Sequence, residues 1–134
     1  MKPFLFLPHT ADIKFRAQGK TLEKVFESCV LAVSDYLTSG KKIKDKRKIK
    51  VSLSGKDHEE ILYLFLDHLI YLLEVEHFVP SHAKIKIKDL YLDAAVHGED
   101  IGKNVIKQIK AATYAEMYIK KGKSGWEAQV VMDV

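Results

Sequence analysis

The chain has 134 residues, 47% of them apolar and 30% charged, with a formal net charge of +4. That balance points to one globular domain over residues 1–134 and excludes intrinsic disorder; no apolar run approaches the ~20 residues of a membrane-spanning helix. A single cysteine, Cys29, excludes a disulfide framework or a CxxC zinc site within one chain, and it is expected as a buried core residue in a reducing, cytoplasmic setting.

The opening segment from Met1 to Pro8 lacks a long apolar stretch and a small-residue cleavage site, so it reads as a first strand over Phe4 to Leu7 rather than a signal peptide. Ile13, Phe15 and Ala17 alternate with Lys14, Arg16 and Gln18, the pattern of a half-buried strand. Gly19-Lys20 turns the chain and Thr21 caps a helix whose apolar positions Leu22, Val25, Phe26, Cys29, Val33 and Leu37 recur at helical spacing, until Gly40 stops it. A basic stretch follows: Lys41, Lys42, Lys44, Lys46, Arg47, Lys48 and Lys50, opposed only by Asp45. Ile49, Val51 and Leu53 alternate as a strand ending at Gly55, and Asp57 with Glu60 starts a second helix over about His58 to Glu76. Its apolar residues cover so wide an arc that it is expected to be covered on more than one side. Ile85 and Ile87 keep period two; Leu90, Leu92, Ala94 and Val96 keep it in the opposite phase, so a bulge or turn is expected at Lys88-Asp89. Gly98 to Val105 reads as an irregular loop. Ile106 to Lys110, Tyr114 to Lys120 and Trp126 to Met132 read as strands, the last two joined by a hairpin at Gly122-Lys123-Ser124-Gly125. The order is roughly ββαβα followed by several strands: an α+β fold with two main helices and largely antiparallel sheet.

Asp12 and Asp133 are the strongest candidates for chemistry. Each lies in strand-like apolar sequence, so each carboxylate is expected to be partly buried and in need of a partner. If the two ends of the chain meet, these aspartates and a main-chain or terminal oxygen of Val134 could form an oxygen-rich pocket suited to a hard divalent cation. The structural alternative is that each aspartate caps backbone N–H groups or pairs with a lysine. Asp67 on the second helix and His9, three residues before Asp12, could line the same pocket. None of the six histidines forms an HExxH or CxxC-linked set, which argues against a transition-metal site. There is no P-loop, no Rossmann glycine pattern and no GxSxG context, so neither a nucleotide site nor a nucleophile is indicated. The basic stretch (Lys41, Lys42, Lys44, Lys46, Arg47, Lys48) could contact RNA phosphates or an acidic protein, or be a solvated loop beside an edge strand. It carries no interleaved aromatic residue, so it offers no base-stacking platform.

Four blocks together resemble the archease family: His9-Thr10-Ala11-Asp12-Ile13, Gly19-Lys20-Thr21-Leu22-Glu23-Lys24-Val25-Phe26-Glu27, Lys110-Ala111-Ala112-Thr113-Tyr114 and the stretch from Trp126 to Val134. Their order and spacing match along nearly the whole chain. The resemblance implies a small accessory protein rather than an enzyme. Its partner would be the RNA-splicing ligase that joins 3′-phosphate or cyclic-phosphate ends to 5′-hydroxyl ends, whose guanylylation and turnover it promotes. It also leaves open a chaperone-like role toward a tRNA cytosine methyltransferase. Asp12 and Asp133 match the family's acidic metal positions and Val134 the adjacent backbone ligand, with Ca²⁺ the first expectation and Mg²⁺ or Mn²⁺ as alternatives. One position departs: many members carry a histidine after the Lys-Ala-x-Thr-Tyr block, and here it is Ala115.

Overall fold

Two side-chain caps set the helix starts. Thr21 Oγ1 accepts from the Lys24 N–H at 3.1 Å, and the Asp57 carboxylate accepts from the Glu60 N–H at 2.8 Å, each satisfying a donor that the first helical turn leaves unpaired. Glu60 does not complete a capping box; its carboxylate reaches one residue further back, to the Lys56 N–H. The helices run Leu22–Thr38 (α1) and His58–Val75 (α2). Helix α1 ends at Thr38, two residues before the expected glycine, because its C-cap Ser39 takes the left-handed conformation (φ 53°) and Gly40 follows it with φ 82°.

The computed structural model describes residues 3–9, 11–104 and 106–134. Its strands are β1 (Phe4–Leu7), β2 (Asp12–Gly19), β3 (Arg47–Ser54), β4 (Phe78–Lys88), β5 (Tyr91–Asp100), β6 (Ala111–Ala112), β7 (Tyr118–Gly122) and β8 (Gly125–Asp133). They form two antiparallel sheets. One has the order β1-β2-β8-β6 with β7 also on β8; the other has the order β3-β5-β4. The architecture is the expected α+β.

Both helices touch both sheets. Helix α1 packs on β1, β2 and β8 of the first sheet and on β4 of the second; α2 packs on β3 and β4 and on β6 and β7. The wide apolar arc of α2 is explained by this double burial, although Asp67, Tyr71, Glu74 and Val75 leave an exposed stripe. Phe15, Phe26, Phe65 and Phe78 are fully buried, and Phe6 meets Phe4 and Phe15 edge-on and Tyr36 at a tilt, with centroids 5.6–6.4 Å apart. Cys29 is fully buried in this core, and burial pushes its thiol pKa up to about 12. The native protein is therefore expected to resist alkylation by iodoacetamide at neutral pH, reacting only after denaturation; rapid native labelling would contradict this packing.

Three expectations need correction. Residues 106–110 are not a strand: the Lys107 N–H goes to Leu37 O and the Lys110 N–H to Asp133 O, so the segment's backbone bonds are spent on anchoring rather than on a ladder. The strand expected from Tyr114 starts only at Tyr118, after a turn in which Glu116 has φ 53° and the Met117 N–H bonds Tyr114 O. The expected loop from Gly98 begins late, because β5 continues to Asp100; Val105 lies outside the described residues. The phase change at Lys88-Asp89 is a two-residue turn with Asp89 at φ 53°, and the only described bulge of this hairpin falls between Pro80 and His82.

Candidate functional site

The register of β2 on β8 brings the ends of the described chain together. Asp12 lies directly opposite Asp133, and Asp133 in turn lies opposite Ala111 of β6. Phe15 and Ala17 of β2 are fully buried on the helix side. Period two therefore places Asp12, Lys14, Arg16 and Gln18 on the opposite face, with Asp133, Val131, Gln129 and Glu127. Directly opposed residues have Cβ atoms about 4.5–5.5 Å apart, so two carboxylates share one end of the sheet. Asp12 is half-buried, whereas Asp133 is exposed rather than partly buried as expected, because it closes the last strand at the rim.

What surrounds the pair decides its chemistry. The Glu116 carboxylate takes the Lys14 ammonium at 2.9 Å and His9 Nε2 at 3.1 Å. These hydrogen bonds, Lys14 first and then His9, hold its carboxyl below the usual glutamate range. His9 Nδ1 stands 3.6 Å from Asp12, too far for a hydrogen bond. Among the described residues no lysine or arginine pairs with Asp12 or Asp133. Glu116 thus engages Lys14 and one ring nitrogen of His9, while the other stays 3.6 Å from Asp12; among the described residues Asp133 has no basic partner and Asp12 has only the His9 ring. Their capping alternative is also not realised in any described side-chain hydrogen bond. No sequence signal marks Glu116, which sits in what reads as a strand.

The donor set suits a hard cation. It offers two carboxylates, with His9 Nδ1 3.6 Å from Asp12, and no described group of three His, Cys, Asp or Glu ligand atoms closes around the pair. The Asp133 carbonyl is committed to the Lys110 N–H at 2.8 Å. Remaining oxygens would come from the main chain at half-buried Val134 and from water, as Ca²⁺ and Mg²⁺ accept readily. Glu116→Gln is expected to weaken divalent-cation binding, because Lys14 is then free to swing onto Asp12; calorimetric titration with CaCl₂ checks this, and an unchanged affinity would remove the role given to Glu116. Acid acts in the same direction. Glu116 has a lowered pKa in the folded state, so its contacts stand intact above the ordinary glutamate range and are lost as pH falls through the lower folded value.

Around this end, Thr113 Oγ1 donates to Val131 O at 2.7 Å and accepts from the Ala115 N–H at 3.2 Å, so Thr113 is structural. Gln129 donates to Glu116 O at 2.7 Å and holds the turn over the sheet. Exposed Tyr114 stacks on Tyr63 of α2 at 4.3 Å, tying the turn to the helix. Asp67 is exposed on α2 and makes no hydrogen bond or ion pair with the described residues; it is not among the contacts at this end. In the basic stretch, Lys41, Lys42, Lys44, Lys46, Arg47 and Lys48 are all exposed, while Ile43 is buried and anchors the loop. Arg47 pairs with Asp100 and lies over Phe78. The register sets Lys48 and Lys50 on the outer face of the edge strand β3, in rows with His97 and His82 and with Ala95 and Lys84; Lys86 and Lys88 continue that face. No helix among the described residues is long and apolar enough to cross a membrane.

The sequence and the fold are both similar to those of known proteins. The Archease protein family (MTH1598/TM1083) matches residues 4–134. "Protein archease" of Pyrococcus furiosus is 37% identical over 142 aligned positions, covering 100% of both chains, and that of Methanosarcina barkeri is 36% identical, covering 99% of this chain and 97% of its own. The fold matches the solution structure of Methanobacterium thermoautotrophicum protein 1598 with a TM-score of 0.82 at 29% identity, over 100% of both chains. It also matches the crystal structure of a Thermotoga maritima protein described as an archease and possible chaperone. There the TM-score is 0.67 at 18% identity, over 96% of this chain and 94% of that one, a likeness of fold alone.

Proposed function

The chain belongs to the archease family, and from that premise we propose that it is a non-catalytic accessory protein of an RNA-splicing ligase. It promotes guanylylation of the ligase's active-site histidine, and repeated turnover, through its acidic end. The observation that supports this reading is Asp12 set opposite Asp133 with no lysine or arginine partner among the described residues. Two opposed carboxylates repel each other, so they are retained at a cost that a bound cation relieves. A divalent cation held there would supply positive charge to phosphoryl oxygens.

The chain's own residues do the rest. Asp12, Asp133 and the main chain at Val134 would hold the ion. Glu116 keeps Lys14 from neutralising them, and the Lys110 N–H fixes the end of β8. The stacked Tyr63–Tyr114 pair presents an exposed aromatic ring beside the end, the kind of anchor that protein interfaces use. The "possible chaperone" description of the Thermotoga maritima protein agrees with an accessory role, and a tRNA methyltransferase is the alternative client. The deciding experiment is single-turnover guanylylation of the cognate ligase with GTP and Mn²⁺ or Mg²⁺, with and without the protein. Stimulation supports the reading, and an unchanged rate overturns it. A second reading, direct tRNA contact, is favoured by the lysine-rich outer face of β3 and β4; it predicts binding without a ligase that weakens steeply with salt.

A further inference from the structure

A second cluster lies in the other sheet, away from the acidic end. Asp45, His82 and His97 come together from the basic loop, β4 and β5, and one ligand atom from each lies within 4.8 Å of the others. His97 Nδ1 is 3.0 Å from an Asp45 carboxylate oxygen, and the His82 and His97 rings stack face to face at 4.7 Å, only 6° from parallel. We propose that these three residues form a binding site for a borderline-soft divalent cation of the zinc class, with an open fourth position.

Each ligand is placed by structure of its own. His82 lies directly opposite His97 in the β4–β5 register and follows immediately on the bulge after Pro80; bulges commonly re-aim a side chain. Asp45 sits in a loop fastened on both sides, by the Lys44 N–H to the Glu99 carboxylate at 2.7 Å and the Lys46 N–H to Gly98 O at 2.9 Å, with Ile43 buried beneath. Both histidines are half-buried, so their rings are neither free in solvent nor locked in the core. Ligands on one tetrahedral zinc are separated by about 3.3 Å, given Zn–N and Zn–O bonds of roughly 2.0–2.1 Å. The Asp45–His97 contact, a hydrogen bond at 3.0 Å, is close to that spacing, and zinc would take the place of its proton. His82 closes the rest by turning about χ2, a soft torsion, which also tilts the parallel rings so that their lone pairs converge. Two imidazoles and one carboxylate suit zinc over Ca²⁺ or Mg²⁺, which prefer oxygen. Lys48 lies across the sheet from His97, and Lys44 and Lys46 flank Asp45; all three are exposed, and their ammonium groups ride on flexible stems that solvent can hold away. A bound ion cross-links the loop, β4 and β5, and so fixes the loop that carries most of the basic stretch.

The test uses the full chain after chelator treatment, titrated calorimetrically with ZnCl₂ and, for geometry, with CoCl₂ followed by visible absorption. The proposal expects one zinc per chain with micromolar or tighter affinity, and intense tetrahedral cobalt bands. His82→Gln, His97→Gln and Asp45→Asn each weaken zinc by about tenfold or more, while Asp133→Asn does not, and excess Mg²⁺ does not displace the ion. Saturating zinc at about a hundred times its Kd raises Tm by roughly 8 °C. All three variants change partly or fully exposed side chains on an outer face, and circular dichroism confirms that they fold. Zinc binding that is absent, that survives His97→Gln unchanged, or that is lost only with Asp133→Asn overturns the proposal.

Discussion

Asp133→Ala is expected to return ligase guanylylation to its unstimulated rate, a loss of about tenfold or more, while the fold persists. The reason is local. Asp133 lies at the exposed rim, its main-chain carbonyl is held by the Lys110 N–H, and the buried residues of β8 stop at Met132. Removing the carboxylate therefore takes nothing from the core. It should even stabilise the metal-free protein. Asp133→Asn relieves repulsion with Asp12 worth roughly 0.2–1 kcal/mol, which corresponds to a Tm rise of about 1–4 °C in chelator. Ca²⁺ reverses the order, because only the wild type gains stability by binding it. Thermal melts in chelator and in CaCl₂, run beside single-turnover guanylylation, check both halves. Full stimulation by Asp133→Ala would sink the acidic-end mechanism. A variant less stable in chelator would show that the pair is not repulsive.

The largest stability effect is expected at Gly98. This residue is buried in β5 between Arg47 of β3 and Pro80 of β4. A Cβ built there would sit 2.0 Å from Val79 O and 2.8 Å from the Phe78 ring. The obstacle is main chain in the middle of a sheet, next to a fully buried phenylalanine, so neither can step aside without opening the β4–β5 pairing. Gly98→Ala is expected to cost about 3 kcal/mol or more, at or beyond the upper end for overpacking. Gly122→Ala is the control: its Cβ would meet nothing closer than Gly125 O at 3.7 Å, and it should change stability by less than about 1 kcal/mol. Urea unfolding midpoints with unchanged slope measure both. A Gly98→Ala protein as stable as the control would mean that β4 approaches β5 less closely than described.

The parts that could be read from sequence are those whose signal is local. Thr21 and Asp57 announce their helices by capping chemistry, and Phe15 and Ala17 mark a buried face by alternation alone. The start of β4 was hidden because Pro80, Ser81 and His82 straddle a bulge, which breaks the period on which strand reading depends. Residues 106–110 look like a strand because Ile106 and Ile109 are apolar, yet they pack individually against the core while the backbone serves as an anchor. The acidic end was legible only as a condition, that the termini meet; its electrostatics were not, because Glu116 acts on Lys14 and His9 from more than 100 positions away. Asp45 and His97 stand 52 positions apart, and His82 joins them through strand register. No spacing rule could have found that trio.

The position of β8 also dictates an order of assembly. It is the last strand of its sheet to be synthesised, yet β2, β6 and β7 all pair with it. Until Gly125–Asp133 has left the ribosome, β2 has only the four-residue β1 beside it and its other edge stays unsatisfied. Pairing across so long a separation is slow, and an open edge in the meantime invites association with other nascent chains. The same event that closes this edge brings Asp133 to Asp12, so a chain that stalls before β8 has neither a finished sheet nor the opposed pair of carboxylates.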